Sequence, residues 1–192
     1  LINQFNLGDN SQHQTYGIGL KELWEVKPEN SKPGHVMHSI GWPLDTDTYG
    51  GSFLYHLSEN LISVGFVIGL DYKNPYMSPY DEFQRFKTHP TVKEIFDGGR
   101  RISYGARALN EGGWQSLPKL SFPGGALIGC DAGTLNTPKI KGTHTAMKSG
   151  IIASSEVFNE LNLGNKNTQI INYQEKFVNS WAGMELKKAR NV

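Results

Sequence analysis

Cysteine is nearly absent: Cys130 is the single one in 192 residues. That excludes an internal disulfide, and any cysteine-ligated zinc or iron–sulfur centre built by this chain alone. No apolar run is long enough to cross a bilayer as a helix. An excess of one charge is also lacking. Nineteen Lys and Arg stand against 18 Asp and Glu, so no nucleic-acid footprint is present. No Gly-x-Gly-x-x-Gly occurs. Gly17-x-Gly19 lacks the third glycine and the helix that a dinucleotide fingerprint needs. The chain starts at Leu1 and shows no signal or transit pattern, which leads to the expectation of a mature or partial chain.

Glycine and aromatic residues are plentiful instead. There are 22 glycines, and aromatics make up 11% of the chain, which suits a ligand-binding α/β protein better than a helical bundle. The length suits one domain or a piece of a larger one. Strands are expected over Gln14–Trp24, over His35–Leu44 with Val36, His38 and Ile40 on one face, over Gly50–Leu57, and over Leu61–Leu70. The last is apolar on both faces and so belongs inside the sheet. Short loops between the last three predict antiparallel neighbours. Lys27–Gly34 is a turn. His35, His38 and His56 have no acidic or cysteine partner at strand spacing, so they read as surface or hydrogen-bonded side chains, not as a metal site.

Ser78-Pro79 with Asp81 and Glu82 predicts a helix start, and His89-Pro90 its end. Thr91-Val92-Lys93-Glu94 reads as a capping box opening a second short helix. The pair is expected as a hairpin over the sheet, with Phe83 and Phe86 inward. Gly98–Arg101 is a turn before a strand through Ile102, Tyr104 and Ala106, with Arg100, Arg101 and Arg107 on a solvated edge. Asn162–Asn167 is a polar linker. From about Gln169 a last helix is expected, with Ile170, Tyr173, Phe177, Trp181 and Met184 at helical spacing. Lys187, Lys188 and Arg190 suit its C-terminus.

The longest organised stretch is Gly129–Gly150. Ala126–Ile128 behind Pro123-Gly124-Gly125 reads as a short buried strand, followed by a glycine-rich loop that closes at Gly142. From Thr143 a helical period begins, with Met147, Ile151, Ser154, Phe158 and Leu161 on one face. Glycine at a helix start lets backbone N–H groups approach an anionic or electron-rich ligand. An ordinary strand-to-helix connection is the plainer reading. Gly50-Gly51 is likewise either a bulge at a strand start or a place where bare backbone approaches a flat ligand.

The run Gly129–Gly150 resembles the second flavin-contact segment of the flavoproteins that include geranylgeranyl reductases and aromatic hydroxylases, and Asn136–Gly150 carries the closer likeness. More narrowly, it is similar to the electron transfer flavoprotein–ubiquinone oxidoreductase family. Gly41–Leu44 with Thr48–His56, Leu70–Tyr76, and Tyr104–Gly113 match that family as well, so the resemblance covers nearly the whole chain. It implies an α/β (α+β) architecture, a mostly antiparallel sheet of a quinone-binding domain with covering helices, joined to part of a FAD-binding domain. The implied division is 1–113 mainly ubiquinone-binding, 114–165 a FAD-binding segment, and 166–192 a C-terminal helix leading toward an iron–sulfur region.

The resemblance also implies that Gly50 and Gly51 touch the ubiquinone head group through the backbone. It places flavin contacts on Gly129, Cys130, Asp131, Gly133, Asn136, Gly142, Thr143 and Thr145. The family's ribityl-binding Asp aligns with Cys130, which leaves Asp131 or backbone groups to replace it. No catalytic side chain is implied. FAD and a 4Fe–4S cluster would be the cofactors. The nucleotide-binding fingerprint is expected before Leu1, and the cluster's cysteines after Val192. The partners would be electron transfer flavoprotein, ubiquinone and a membrane surface, at the matrix side of the mitochondrial inner membrane. Two alternatives stay open: a FAD-dependent reductase or hydroxylase of a lipid-like substrate, and a non-catalytic subunit that keeps the fold.

Overall fold

In the computed structural model, residues 1–165 and 169–191 are described. Lys166 and Asn167 of the expected linker, where the third expected region begins, lie outside them. The chain forms two compact units. One is Tyr16–Leu109, and the other combines Leu1–Thr15 with the chain from Asn110 onward. The first fifteen residues therefore group with the second unit. Leu7 is buried among Leu120, Leu127, Ile152, Tyr173 and Phe177 of the second unit. Its carbonyl also accepts a hydrogen bond from the Lys119 N–H at 2.8 Å.

The sheet unit holds β1 (Tyr16–Glu25), β2 (Val36–Ile40), β3 (Gly50–His56), β4 (Leu61–Gly69) and β5 (Arg100–Asn110), in the order β2-β3-β4-β1-β5. The pairs β2/β3, β3/β4 and β1/β4 are antiparallel. β4 lies in the interior and is buried along almost its whole length, as its two-sided apolar pattern required. β2 stops at Ile40, short of the expected Leu44. Gly41 takes a positive φ there, and the Leu44 N–H folds back onto the Gly41 carbonyl. Successive side chains alternate between faces. One face carries Leu54, Ile62, Val64, Phe66 and Ile68, which pack with Phe83 and Phe86 of α1 (Pro79–Thr88) and with Val92 and Phe96 of α2 (Pro90–Phe96).

Ser78 caps α1 by accepting from the Asp81 N–H at 3.3 Å. The expected capping box at Thr91 does not form. α2 begins two residues earlier, with His89 at the N-cap, because Pro90 sets φ at the first helical position, and no side chain caps it. The basic edge is exposed, as expected, and two of its arginines are also paired. Arg100 reaches Glu25 at 2.6 Å and Arg101 reaches Glu22 at 3.0 Å. Glu22 is almost fully buried on β1 and also accepts from Lys87 Nζ at 2.6 Å and Trp24 Nε1 at 2.7 Å. Burial alone would raise its carboxyl. Lys87, Trp24 and Arg101 together hold it below its ordinary value.

In the second unit, the buried strand expected at Ala126–Ile128 shrinks to a two-residue hairpin, β6 (Ser121–Phe122) with β7 (Gly125–Ala126). Ile128 is exposed. Two single 3₁₀ turns, Gly129–Ala132 and Thr137–Lys139, lead to α3 (Thr143–Asn162). The helix start falls where the period placed it, but its buried face does not. Thr145, Ser149, Ile152, Ala153 and Glu156 are inside, whereas Met147, Ile151, Phe158 and Leu161 are exposed. Small residues win the inner face because the chain approaches closely there. An ideal Cβ on Gly129 would lie 3.2 Å from the Ala146 Cβ.

The single last helix is two helices, α4 (Asn172–Val178) and α5 (Trp181–Ala189). Ser180 breaks the run by accepting from the Gly183 N–H as the cap of α5. The helical phase resets at that break. Ile170, Tyr173 and Phe177 stay in the core, while Trp181 and Met184 turn outward and Ala182, Gly183 and Leu186 take the inner face.

Candidate functional sites

The first candidate site lies at one end of the sheet, where two of the sequence motifs meet. β3 begins at Gly50-Gly51. Gly50 pairs with Ile68, and Gly51 pairs with both Val67 and Ile40. The ladder is continuous, so the bulge reading is wrong for this pair. β2 ends at Ile40 opposite Gly51, so Gly50 lies beyond the last β2/β3 pair. By strand alternation Gly50 faces the helix-covered side, and Gly51 faces the other side with Phe53 and Tyr55. Both glycines are required by the sheet itself. A Cβ at Gly51 would come within 2.5 Å of the Ser39 carbonyl, and one at Gly50 within 2.5 Å of Leu44 Cδ1 and against the Val67 carbonyl. Neither glycine has a positive φ.

Leu44 thus brings the Gly41–Leu44 turn against Gly50. The Gly69 N–H donates to the Tyr49 carbonyl at 2.9 Å, which draws the end of β4 to the same corner. Exposed Ile40, Trp42, Tyr49 and Leu70 surround it. The face that Gly51 shares carries Gly17 and Gly19 on β1 and Ser63, Gly65 and Gly69 on β4, interleaved with Lys21, Leu23 and Val67. The Phe53 ring lies over Gly65 and fills part of that space. His56 is not a ligand-type histidine. Its Nδ1 accepts from the Lys32 N–H at 3.0 Å, and burial, with His35 and Lys32 nearby, lowers its pKa. His38 turns to the Tyr55 hydroxyl at 3.1 Å. Among the described residues no cluster of His, Cys, Asp and Glu could hold a metal ion.

The second candidate site is the loop before α3. Gly129 is buried with a positive φ, and its N–H donates to Ser149 Oγ at 2.9 Å. Cys130 and Asp131 sit in the 3₁₀ turn, with Asp131 exposed and Cys130 half-buried. The turn ends in left-handed Gly133, whose N–H donates to the Cys130 carbonyl. Asn136 and Lys141 bridge the loop's base, with Asn136 N–H donating to Lys141 O at 3.0 Å. Gly142 is the N-cap of α3 and offers no side-chain cap. The Ala146 N–H is the first to donate back, to Gly142 O at 2.9 Å. The N–H groups of Thr143, His144 and Thr145 therefore have no acceptor inside a 20-residue helix, at its positive end. The Thr145 hydroxyl is turned inward onto Gly142 O. Gly129, Gly133 and Gly142 let the loop pack closely: a Cβ would meet Ala146 at Gly129, Gln14 at Gly133 and Leu135 at Gly142.

Such a loop suits an electron-rich ring or an anionic chain. The residues fit a flavin on that observation, and the Thr134 hydroxyl, fully buried with no partner among the described residues, adds a polar group beside the loop. A 4Fe–4S cluster does not fit these residues, because Cys130 is the sole cysteine.

Sequence reasoning missed one feature of this site. Glu185 on α5 accepts from Asn136 Nδ2 at 2.8 Å, His144 Nε2 at 2.7 Å and Lys139 Nζ at 2.6 Å. Forty or more residues separate it from all three, so no local spacing could reveal the group. Lys139 first, then His144, hold the Glu185 carboxyl down to about 2, against a smaller upward push from burial. A carboxyl lowered on folding contributes stability that is present above its ordinary value of 4.5 and is lost as pH falls toward the folded value. Chemical denaturation of the Glu185→Gln variant is therefore expected to show less acid sensitivity between these limits than the parent. Parallel pH profiles would contradict the pairing.

Residues 16–109 match the family described as ETF-QO, ubiquinone-binding, and these bounds coincide with the sheet unit. The whole chain is 57% identical over 199 residues to the human mitochondrial electron transfer flavoprotein-ubiquinone oxidoreductase, covering 32% of that protein. It is 57% identical over 180 residues to the Oryza sativa protein of the same name, and 51% identical over 198 residues to that of Caenorhabditis elegans. The chain spans about a third of the length of these curated relatives.

Two solved structures share the fold. A geranylgeranyl bacteriochlorophyll reductase-like protein from Thermoplasma acidophilum matches with TM-score 0.64 at 13% identity, over 93% of this chain and 48% of its own. A flavoprotein/dehydrogenase from Cytophaga hutchinsonii matches with TM-score 0.57 at 15% identity, over 97% of this chain and 42% of its own. With the sheet unit matched from end to end, residues 16–109 match the ETF-QO ubiquinone-binding family, within a chain similar throughout to electron transfer flavoprotein–ubiquinone oxidoreductase.

Proposed function

We propose that this chain supplies the quinone-contact unit and the flavin-contact loop of an enzyme that passes electrons from reduced electron transfer flavoprotein to ubiquinone. The observation that carries the reading is the family match over the sheet unit, whose β3 starts with bare backbone at Gly50-Gly51. In this reading the backbone of Gly50 and Gly51 meets the quinone ring, with the ring approaching from the Gly51 side. Gly129, Cys130, Asp131, Gly133, Asn136, Gly142, Thr143 and Thr145 would hold FAD. The N–H groups at the start of α3 would stabilise negative charge on the ring. When bound, FAD supplies two-electron chemistry, while the protein contributes position and electrostatics. A 4Fe–4S cluster with ligands outside these residues, and seating on a mitochondrial inner-membrane surface, complete the proposal. Among the described residues no helix is long and apolar enough to cross a membrane.

The intact protein decides this. It is expected to carry flavin that reduced electron transfer flavoprotein reduces and a ubiquinone analogue reoxidises. A protein without flavin, or with flavin indifferent to quinone, would overturn the reading.

A further inference from the structure

We infer that Glu185 is a positioning residue for the flavin-contact loop, a clasp that fixes residues 136–144 to α5. The inference rests on the flavin reading of that loop. One carboxylate gathers three donors from both sides of the loop: Asn136 at its base, Lys139 in the turn and His144 in the first turn of α3. Asn136 is nearly fully buried, and its Oδ1 accepts from the Lys139 N–H at 3.2 Å. The same amide therefore shapes the turn and reaches the clasp. His144 lies between Thr143 and Thr145, so it moves with the N–H groups offered to the ligand. Its ring stacks on Trp181 of α5 at 5.8 Å and 13°.

The post that carries the clasp is fixed. Ala182, Gly183 and Leu186 are buried, and Gly183 sits against the carbonyls of Phe177 and Val178, where a Cβ has no room. α5 therefore cannot slide toward a loop that shifts. The Lys139 arm is more than half exposed and contributes little alone. The Asn136 and His144 arms are more enclosed and charge-assisted, so they do most of the holding. Without the carboxylate, Asn136 and Lys139 lose their bonds to α5, and His144 keeps its stack on Trp181. The aim of the N–H groups at the ligand then relaxes.

The test uses the intact protein and its Glu185→Gln variant. Trypsin should cut faster after Lys139 and Lys141. FAD should leave on the order of tenfold faster on dilution. The flavin potential should become more negative, because N–H groups that stabilise the reduced ring are less well aimed. A purely structural role would leave the potential of the bound flavin unchanged. Lys139→Met, which removes only the exposed arm, should change all three less. Should the glutamine variant fail to fold, His144→Phe keeps the stack on Trp181 and removes one donor, and it should show the same three changes to a smaller degree. Faster cleavage with unchanged flavin release and potential would overturn the positioning role. No change in any readout would overturn the clasp itself. An unmutated protein without FAD would refute the flavin reading instead, and is recognised before any variant is made.

Discussion

Glu22→Ala is expected to cost the sheet unit about 3–5 kcal/mol, enough to unfold it in much of the population. The size follows from what the substitution leaves behind. Lys87 is only 11% exposed at its side chain, lies 2.6 Å from Glu22, and packs over the rings of Trp24 and Phe83. Removing the carboxylate strands that ammonium among aromatic rings, with the Trp24 N–H unpaired beside it. Arg101 is better solvated and suffers less. A second construction separates lost attraction from stranded charge. Glu22→Leu combined with Lys87→Met removes both charges at similar volume and should recover most of the loss. Urea denaturation followed by circular dichroism gives both values. A loss under about 1 kcal/mol for the alanine variant would mean that the cluster behaves as a surface ion pair.

This cluster also shows what was legible in the sequence. Glu22 reads there as one polar residue in an alternating strand. Its partners lie 65 and 79 residues away, on a helix and a neighbouring strand. β3 and β4 were legible because their apolar residues alternate or run continuously, and short loops force antiparallel neighbours, although Val36 and Ile40 of β2 are exposed. The start of α1 was legible because Ser78 and Pro79 act locally. The inner face of α3 was not. Hydrophobic periodicity finds the stripe of Met147, Ile151, Phe158 and Leu161, but the contacts made within this chain run through Thr145, Ser149 and Ala153. Backbone proximity selects small residues there, and a hydrophobic period cannot register that choice. The same limit hid the break at Ser180, where a cap outweighs a continuous apolar spacing. The loop's glycines were found from resemblance, and the structure gives them a reason in positive φ at Gly129 and Gly133. Glu185 lies on a different helix from the loop that it holds, so it was visible only once the chain had folded.

Gly50 and Gly51 allow a sharper test than either glycine alone. Alanine at either position meets the backbone of a neighbouring strand, Val67 for Gly50 and Ser39 for Gly51. Each variant should therefore lose roughly 1–3 kcal/mol through overpacking, with no contribution from backbone strain at positive φ. An activity loss at Gly51 alone would thus say little about quinone. The two positions differ in the face that they address. The Gly50 methyl points to the side covered by α1 and α2, against Leu44, and the Gly51 methyl points to the other side. If ubiquinone lies against the Gly51 side, quinone reduction per folded molecule should fall steeply in Gly51→Ala and much less in Gly50→Ala. Flavin reduction by electron transfer flavoprotein should survive in both, since the loop before α3 is untouched. The measurement pairs the two half-reactions with thermal unfolding, so that each rate is referred to the folded fraction. Losses that are equal in the two variants, and that track stability alone, would show that the glycines serve the sheet and that the quinone contact lies elsewhere.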